Sequence, residues 1–330
     1  MNRQVKNFKR IGVFTSGGDA PGMNAAIRAV VRTAIHYGAE AYGIMRGYDG
    51  MIKGDIIQLT SKDVSGIIQR GGTILQSARS EEFKTIEGRQ KAYQNLQKFQ
   101  IDSLIAIGGD GTFTGATFLN KEYGIPIIGV PGTIDNDLFG SDTTIGYDTC
   151  MNTVVEAVDK IRDTAGSHNR MFFIEVMGRD AGFIALNTGI ATGAENILIP
   201  ETITDIDDLI ISLKESKRIG KSSAIIIVAE GDDLGGAYEV AAKVKELDSS
   251  YSTRVSVLGH IQRGGSPSVA DRVLASRLGF EAVEALYLGY DKVMTGMING
   301  RITYTPLEKA IKHNNDIDKE LLRMSRILST

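Results

Sequence analysis

The sequence predicts an α/β protein of two doubly wound domains with mostly parallel sheets. Three observations lead there. Short β-branched runs recur without strict alternation, as strands buried on both faces read. Helical patterns with one apolar face lie between several of them. Glycine pairs follow apolar runs, the place where strands of such sheets end and ligands bind.

Taken in order, the runs are 11–14, 104–107, 127–130, 172–176, 197–199, 224–228 and 254–258. After Pro21, the residues Ile27, Val30, Val31, Ala34 and Ile35 follow one helix face. Val154, Val155, Val158 and Ile161 repeat the pattern over 152–161. Strand and helix in alternation imply right-handed βαβ units. The glycine pairs are Gly17-Gly18, Gly71-Gly72, Gly108-Gly109 and Gly264-Gly265. With 38 glycines against 6 prolines and no low-complexity tract, these glycines belong to folded loops rather than to a flexible chain.

Length and charge bound the rest. At roughly 150 residues per domain, 330 residues suggest about two domains. I/L/V/F-rich runs within a chain that is 42% hydrophobic can bury a full core. Lys and Arg total 37 against 40 Asp and Glu, a net charge of −3. That excludes binding through a global positive field, so no nucleic-acid partner is expected. The longest apolar stretch, 224–229, is far short of the roughly 20 residues of a membrane helix. The basic start (Arg3, Lys6, Lys9, Arg10) runs straight into 11–15 without an apolar leader segment, so neither export nor a membrane anchor is expected. A single cysteine, Cys150, excludes a disulfide framework and fits a reduced, cytoplasmic setting.

Two segments share one design. Residues 11–15 run into Ser16-Gly17-Gly18-Asp19-Ala20-Pro21-Gly22-Met23-Asn24, and residues 104–107 run into Gly108-Gly109-Asp110-Gly111-Thr112. Glycine lets an anion approach peptide N–H groups with no Cβ in the way, and the helix that follows offers free N–H groups and a positive dipole end. Asp110 adds a carboxylate of the hard-oxygen type that binds Mg²⁺ beside phosphate. Gly17 and Gly22 have the spacing of a Walker A loop, but Met23 stands where lysine is required. Neither segment carries GxGxxG. A tight strand-to-helix turn is the alternative reading of either loop alone; two such loops favour a nucleotide.

After the third run comes Pro131-Gly132-Thr133-Ile134-Asp135-Asn136-Asp137. Two carboxylates at i and i+2 beyond a parallel strand can serve as general base and as metal or geometry holder. An Asp/Asn-rich turn is the alternative. Arg79, Arg179 and Arg263 stand beside glycine or small residues, as phosphate-clamping guanidiniums do. Arg170, Arg254 and His260 are further candidates for an anionic substrate. Arg28 and Arg32, at i and i+4, form a second basic patch or a solvated helix face.

These motifs, together with Met177-Gly178-Arg179 and Leu258-Gly259-His260-Ile261-Gln262-Arg263-Gly264-Gly265, resemble in order the bacterial ATP-dependent 6-phosphofructokinase family over nearly the whole chain. The resemblance is weakest over the last 30 or so residues. It implies Rossmann-like domains with the active site in the cleft between them: 1–145 plus 261–311 for ATP, 146–260 plus 312–330 for fructose 6-phosphate. The implied reaction moves the γ-phosphoryl of ATP, with Mg²⁺, to the 1-hydroxyl of fructose 6-phosphate, the committed step of glycolysis.

By the same resemblance Asp135 is the general base, with Thr133 and Asp137 beside it. Arg179 and Arg79 stabilise the transferring group. Gly18, Tyr48, Arg79, Ser80, Gly109, Gly111 and Thr112 line the ATP site, and Asp110 holds Mg²⁺. Met177, Gly178, Glu230, His260 and Arg263 bind the sugar phosphate. Arg170 and Arg254 reach it from a neighbouring subunit, which implies a homo-oligomer, usually a tetramer. Arg28, Arg32, Arg162, Glu195 and Lys221 match an effector site, whereas Ser61, Ile219 and Ser223 replace basic or imidazole groups there. Fewer cations imply a weaker clamp on an anionic effector, and activity titrated with ADP tests that expectation.

Gly111 and Gly132 bear on the donor. Pyrophosphate-dependent relatives carry Asp and Lys there, which fill the space of the ATP α-phosphate. The alternatives are therefore the pyrophosphate-dependent reaction, another sugar or lipid kinase with a Gly-Gly-Asp-Gly loop, and a non-catalytic nucleotide sensor.

Overall fold

Burial on both faces explains why the strands read as apolar runs: in the computed structural model, four of them are buried at all or nearly all positions. The structure describes residues 8–168, 170–221, 223–249, 251–312 and 315–329; Arg3 and Lys6 of the basic start lie outside them. In chain order the elements are β1 (Arg10–Thr15), α1 (Met23–His36), β2 (Glu40–Ile44), α2 (Gly47–Lys53), β3 (Ile56–Leu59), α3 (Ile86–Lys98), β4 (Ser103–Gly108), α4 (Asp110–Tyr123) and β5 (Ile127–Pro131). There follow α5 (Tyr147–His168), β6 (Met171–Val176), α6 (Phe183–Thr192), β7 (Asn196–Leu198), α7 (Ile206–Arg218), β8 (Ala224–Ala229), α8 (Ala237–Leu247) and β9 (Thr253–Val257). The chain ends with α9 (Val269–Tyr287), β10 (Val293–Ile298), β11 (Arg301–Pro306), α10 (Leu307–Lys312) and α11 (Lys319–Leu328).

The chain divides into two compact units. One comprises residues through Ile134, Leu138–Thr149 and Arg263–Asn315; the other comprises Asp135–Asp137, Cys150–Gln262 and the residues from Asp316 on. The first holds a seven-stranded sheet in the order β11-β10-β5-β4-β1-β2-β3. Its five central strands are parallel, and β3 and β11 close the edges antiparallel. Phe14, Tyr48, Leu104 and Phe113 anchor its core. The second holds four parallel strands in the order β7-β8-β6-β9, with a core around Phe173, Leu213, Ile226 and Val240. Both sheets are mostly parallel with helices between strands, as the sequence predicts. No helix among the described residues is long and apolar enough to cross a membrane.

Strand order locates the first unit's crevice. From β1 the chain proceeds to β2 on one side, and from β4 to β5 on the other. The C-terminal ends of β1 and β4 therefore flank a topological switch point, where open α/β sheets bind ligands.

The structure corrects the sequence reading at three places. Strands β2, β3, β10 and β11 do not stand out as β-branched runs. Helix α5 extends beyond 152–161 at both ends. Only two of the four glycine pairs end strands: Gly71-Gly72 lies among turns and Gly264-Gly265 follows a 3-10 turn. Those two pairs meet each other, since a Cβ on Gly71 would lie 2.2 Å from the Gly265 carbonyl oxygen. Close backbone approach, not strand termination, requires glycine there.

Candidate active site

Three loops at the ends of β1, β4 and β5 are tied edge to edge. Ser16 N–H donates to the Ile107 carbonyl at 3.1 Å, and Gly132 N–H donates to the Gly108 carbonyl at 3.0 Å. The Thr112 hydroxyl donates to the Ser16 carbonyl at 3.0 Å. A Cβ on Gly108 would stand 2.3 Å from the Thr112 Oγ1 and 2.5 Å from the Ser16 oxygen, so only glycine admits this approach. Gly17 and Gly22 take φ of +83° and +113°. Helices α1 and α4 begin behind glycine N-caps, Gly22 and Gly109, with no side-chain cap bond. In their first turns the Met23 N–H donates to the Ala20 carbonyl at 3.2 Å and the Thr112 N–H to the Gly109 carbonyl at 3.0 Å; a helix start behind a glycine loop is the arrangement that binds phosphate.

Arg263 lies over the first of these loops. Its Nη1 donates to the Asp19 carbonyl at 3.3 Å, and a Cβ on Gly18 would meet that Nη1 at 2.6 Å. Gly111 is different: it is exposed, and a Cβ there would meet nothing within 4 Å. Asp110 opens α4 beside it. Among the described residues no group of three or more His, Cys, Asp or Glu is gathered around one point. A lone carboxylate at a phosphate cradle is nonetheless the donor set of a Mg²⁺ ion, which keeps waters and takes other ligands from substrate phosphates. The residues fit that ion.

Tyr48 packs beneath the start of α4. Its ring stacks on Phe83 with centroids 3.9 Å apart, its hydroxyl donates to the Thr112 carbonyl, and it is buried. Burial pushes its phenol well above the ordinary value, so it stays a protonated donor. Arg79 is exposed on the segment after Gln76, and the Ser80 hydroxyl accepts from the Phe83 N–H at 3.3 Å. Thr15 secures that segment by donating to the Gln76 carbonyl at 2.8 Å. At the end of β5, Thr133 is buried and its carbonyl accepts from the Thr144 hydroxyl at 2.6 Å. Asp135 is 4% exposed and Asp137 half-buried, flanking Asn136 at φ +55°. A non-glycine residue in that region marks a turn held by its surroundings.

In the second unit, the strand ends of β6, β8 and β9 assemble another group. Gly178 has φ +142°, and a Cβ there would strike the Ala181 carbonyl oxygen at 2.3 Å. Arg179 follows at φ +54° and is exposed. Glu230 Oε1 accepts from the N–H groups of Gly178 (3.3 Å) and Arg179 (2.8 Å). His260 is exposed on the 3-10 turn after β9.

Arg170 and Arg254 lie elsewhere. Arg170 precedes β6, and Arg254 pairs with Phe172 at the start of that strand. Met177, Arg179 and His260 follow the opposite ends of the same strands. Six residues at about 3.3 Å each separate the two ends by about 20 Å. Arg254 Nη1 donates to the Thr253 carbonyl at 2.8 Å.

The effector candidates divide between the units. Arg28 and Arg32 stand on α1. Arg162 Nη2 donates to the Thr192 carbonyl at 2.6 Å, and Lys221 Nζ donates to the Ser329 carbonyl at 3.0 Å. Glu195 is buried and its Oε2 accepts from the Ile225 N–H at 2.7 Å. Ser61 and Ile219 are exposed and Ser223 is half-buried.

The phosphofructokinase family model matches residues 10–286. The chain belongs to the phosphofructokinase family. Similar members include ATP-dependent 6-phosphofructokinase 1 of Thermus thermophilus, 59% identical over 98% of this chain and 100% of the relative. ATP-dependent 6-phosphofructokinase 2 of Bacteroides thetaiotaomicron is 54% identical over 97% of this chain and 98% of that one. Among solved structures, the phosphofructokinase of Saccharomyces cerevisiae superposes with a TM-score of 0.87 at 39% identity. That match covers 92% of this chain but 45% of the yeast chain, so this chain spans under half of it. A pyrophosphate-dependent phosphofructokinase from Marinobacter aquaeolei shares the fold, with a TM-score of 0.83 at 21% identity over 94% of this chain and 86% of that one.

Two residues of this family member escape sequence reasoning. Asn24 is buried; its Oδ1 accepts from the Ile74 N–H at 2.7 Å and its Nδ2 donates to the carbonyls of Arg70 and Gly71. Gln262 makes a comparable pair of bonds in the second unit. Both lie inside quoted motifs, but no local signal in the sequence names their partners.

Proposed function

We propose that this chain transfers the γ-phosphoryl of ATP to the 1-hydroxyl of fructose 6-phosphate, releasing ADP and fructose 1,6-bisphosphate. The observation that carries the reading is the triple loop at the switch point. It combines two glycine-capped helix starts, a lone carboxylate at one of them, and open space at Gly111 where an α-phosphate can lie. Relatives named as ATP-dependent 6-phosphofructokinases, matched over nearly the whole chain, support the donor and acceptor.

In this reading the glycine loops and the starts of α1 and α4 cradle the nucleotide phosphates. Asp110 holds Mg²⁺, which when bound neutralises charge on the donor phosphates. Asp135 takes the proton of the 1-hydroxyl as that oxygen bonds to the γ-phosphorus. The bond from phosphorus to the β,γ-bridging oxygen breaks, and its electron pair leaves with ADP. Arg79 and Arg179 meet the charge spread over the transferring group. Thr133 and Asp137 orient the sugar beside the base. Met177, Gly178, Glu230, His260 and Arg263 hold the sugar phosphate; the Gly178 N–H already has Glu230 as its acceptor, so its contribution is close backbone approach. Arg170 and Arg254 complete the phosphate pocket of a second copy, which makes the active form a homo-oligomer. A cytoplasmic setting is consistent with the one cysteine being a buried thiol outside any disulfide.

The pyrophosphate-dependent alternative is disfavoured by Gly132 as well as Gly111. A Cβ on Gly132 would meet Ile107 Cγ2 and Met23 Cε, each at 3.1 Å, so a lysine there requires both side chains to give by a few tenths of an ångström. Asp135→Ser tests the mechanism: the turnover rate should fall by roughly 10²–10⁴ with little change in the KM for fructose 6-phosphate. A wild-type rate in steady-state kinetics would remove Asp135 as the base.

A further inference from the structure

The geometry points to Gln262 as the residue that positions the turn 177–179 against the loop carrying His260, an assignment that rests on the function proposed above. Gln262 is 0% exposed, within the 3-10 turn Gly259–Arg263. Its Oε1 accepts from the Met177 N–H at 3.1 Å, and its Nε2 donates to the Gly259 carbonyl at 3.0 Å. The Cys150 Sγ stands 4.0 Å from the same Oε1. One planar amide therefore holds the segment after β6 with its oxygen and the segment after β9 with its nitrogen. No other side chain of this size offers an acceptor and a donor in that arrangement. Turned over, the group would set N–H against N–H and carbonyl against carbonyl, so its orientation follows from its partners.

The turn it holds needs holding. Gly178 and Arg179 both have positive φ, and such backbone persists only where the surroundings over-determine it. Three successive N–H groups, those of Met177, Gly178 and Arg179, take side-chain acceptors: Gln262 for the first, Glu230 for the next two. Glu230 is exposed and free to meet substrate, whereas Gln262 is sealed from solvent and touches none. Its action on the reaction runs through the segments it holds, at Met177 and Gly259. A displacement of about 1 Å in a substrate-holding group can cost on the order of 10²-fold. Because both loops belong to the second unit, the loss falls on the sugar phosphate and not on the nucleotide.

Steady-state kinetics of the full-length enzyme, with each substrate varied in turn, test this on wild type, Gln262→Leu and Gln262→Glu. Leucine keeps most of the volume and removes both bonds. Glutamate keeps the size and the acceptor toward Met177, but sets an oxygen against the Gly259 carbonyl. The expected result is a KM for fructose 6-phosphate raised about tenfold or more in Gln262→Leu and less in Gln262→Glu, with the KM for ATP within about twofold of wild type. An unchanged KM for fructose 6-phosphate in Gln262→Leu overturns the proposal. So does a parallel rise in both KM values, or a turnover rate lowered only in proportion to the folded fraction read by circular dichroism, with both KM values unchanged. Should the leucine variant fail to fold, Gln262→Glu decides: a rise of about threefold or more confined to fructose 6-phosphate supports the assignment, and wild-type values overturn it. A wild type that does not phosphorylate fructose 6-phosphate with ATP overturns the underlying function and the proposal together, whereas the variant outcomes bear on Gln262 alone.

Discussion

Gly111 shows how a single residue can argue for a ligand. Its φ is not positive, and a Cβ there would touch nothing. It sits in the first turn of α4, where glycine is about 1 kcal/mol less favourable than alanine. Neither backbone nor packing asks for glycine, so the space beside it is what glycine preserves. Gly111→Asp should fold and melt at or slightly above the wild-type temperature, since an acid suits the first turn of a helix. Its KM for ATP should rise about tenfold or more as the new carboxylate meets phosphate. An unchanged KM for ATP, measured alongside a thermal melt, would contradict the steric account. Residues of this kind are legible in sequence because glycine, aspartate and arginine at strand ends are chemically conspicuous. Asn24 and Gln262 are not. The Asn24 bonds join residues 46 to 50 positions apart and the Gln262–Met177 bond spans 85, and an isolated amide in a sequence does not say which backbone group it will face.

At the scale of elements, the turn 177–179 joins fold and function. Gly178→Ala places a methyl group 2.3 Å from the Ala181 carbonyl oxygen at φ +142°. The strain should lower stability by roughly 1–3 kcal/mol and weaken fructose 6-phosphate binding, both read from a thermal melt and a substrate titration. A wild-type melt with wild-type binding would mean the turn tolerates a side chain. Seven strands are legible as β-branched runs, because central parallel strands are apolar on both faces. The other four are hidden by local requirements. Gly43 interrupts β2, where a Cβ would meet Leu75 and Leu59 at 2.7 and 2.8 Å. Gly296 interrupts β10, where a Cβ would meet the Gly140 carbonyl oxygen at 2.2 Å. The antiparallel edges β3 and β11 are short or polar, with partly exposed faces, and read as loop.

At the scale of the whole molecule, Arg170 and Arg254 decide what one chain can do alone. Arg170 stands about 20 Å along β6 from the turn that carries Arg179, and Arg254 about 13 Å along β9 from the turn that carries His260. In the function proposed above, a pocket that uses all four side chains draws them from two copies, so inactive variants should complement each other. Arg254→Ala mixed with Arg179→Ala, after dissociation and reassociation, should recover a fraction of wild-type activity that neither variant has. No recovery despite mixed oligomers would assign each site to a single chain. A site shared in that way leaves no trace in periodicity or spacing, because it depends on a surface and not on a segment. The most direct test of the whole account compares phosphoryl donors. Initial rates with fructose 6-phosphate and Mg²⁺ should be substantial with ATP, with ADP and fructose 1,6-bisphosphate formed in equal amounts, and negligible with pyrophosphate. Turnover with pyrophosphate and none with ATP would contradict the central claim that this triple loop holds a nucleotide.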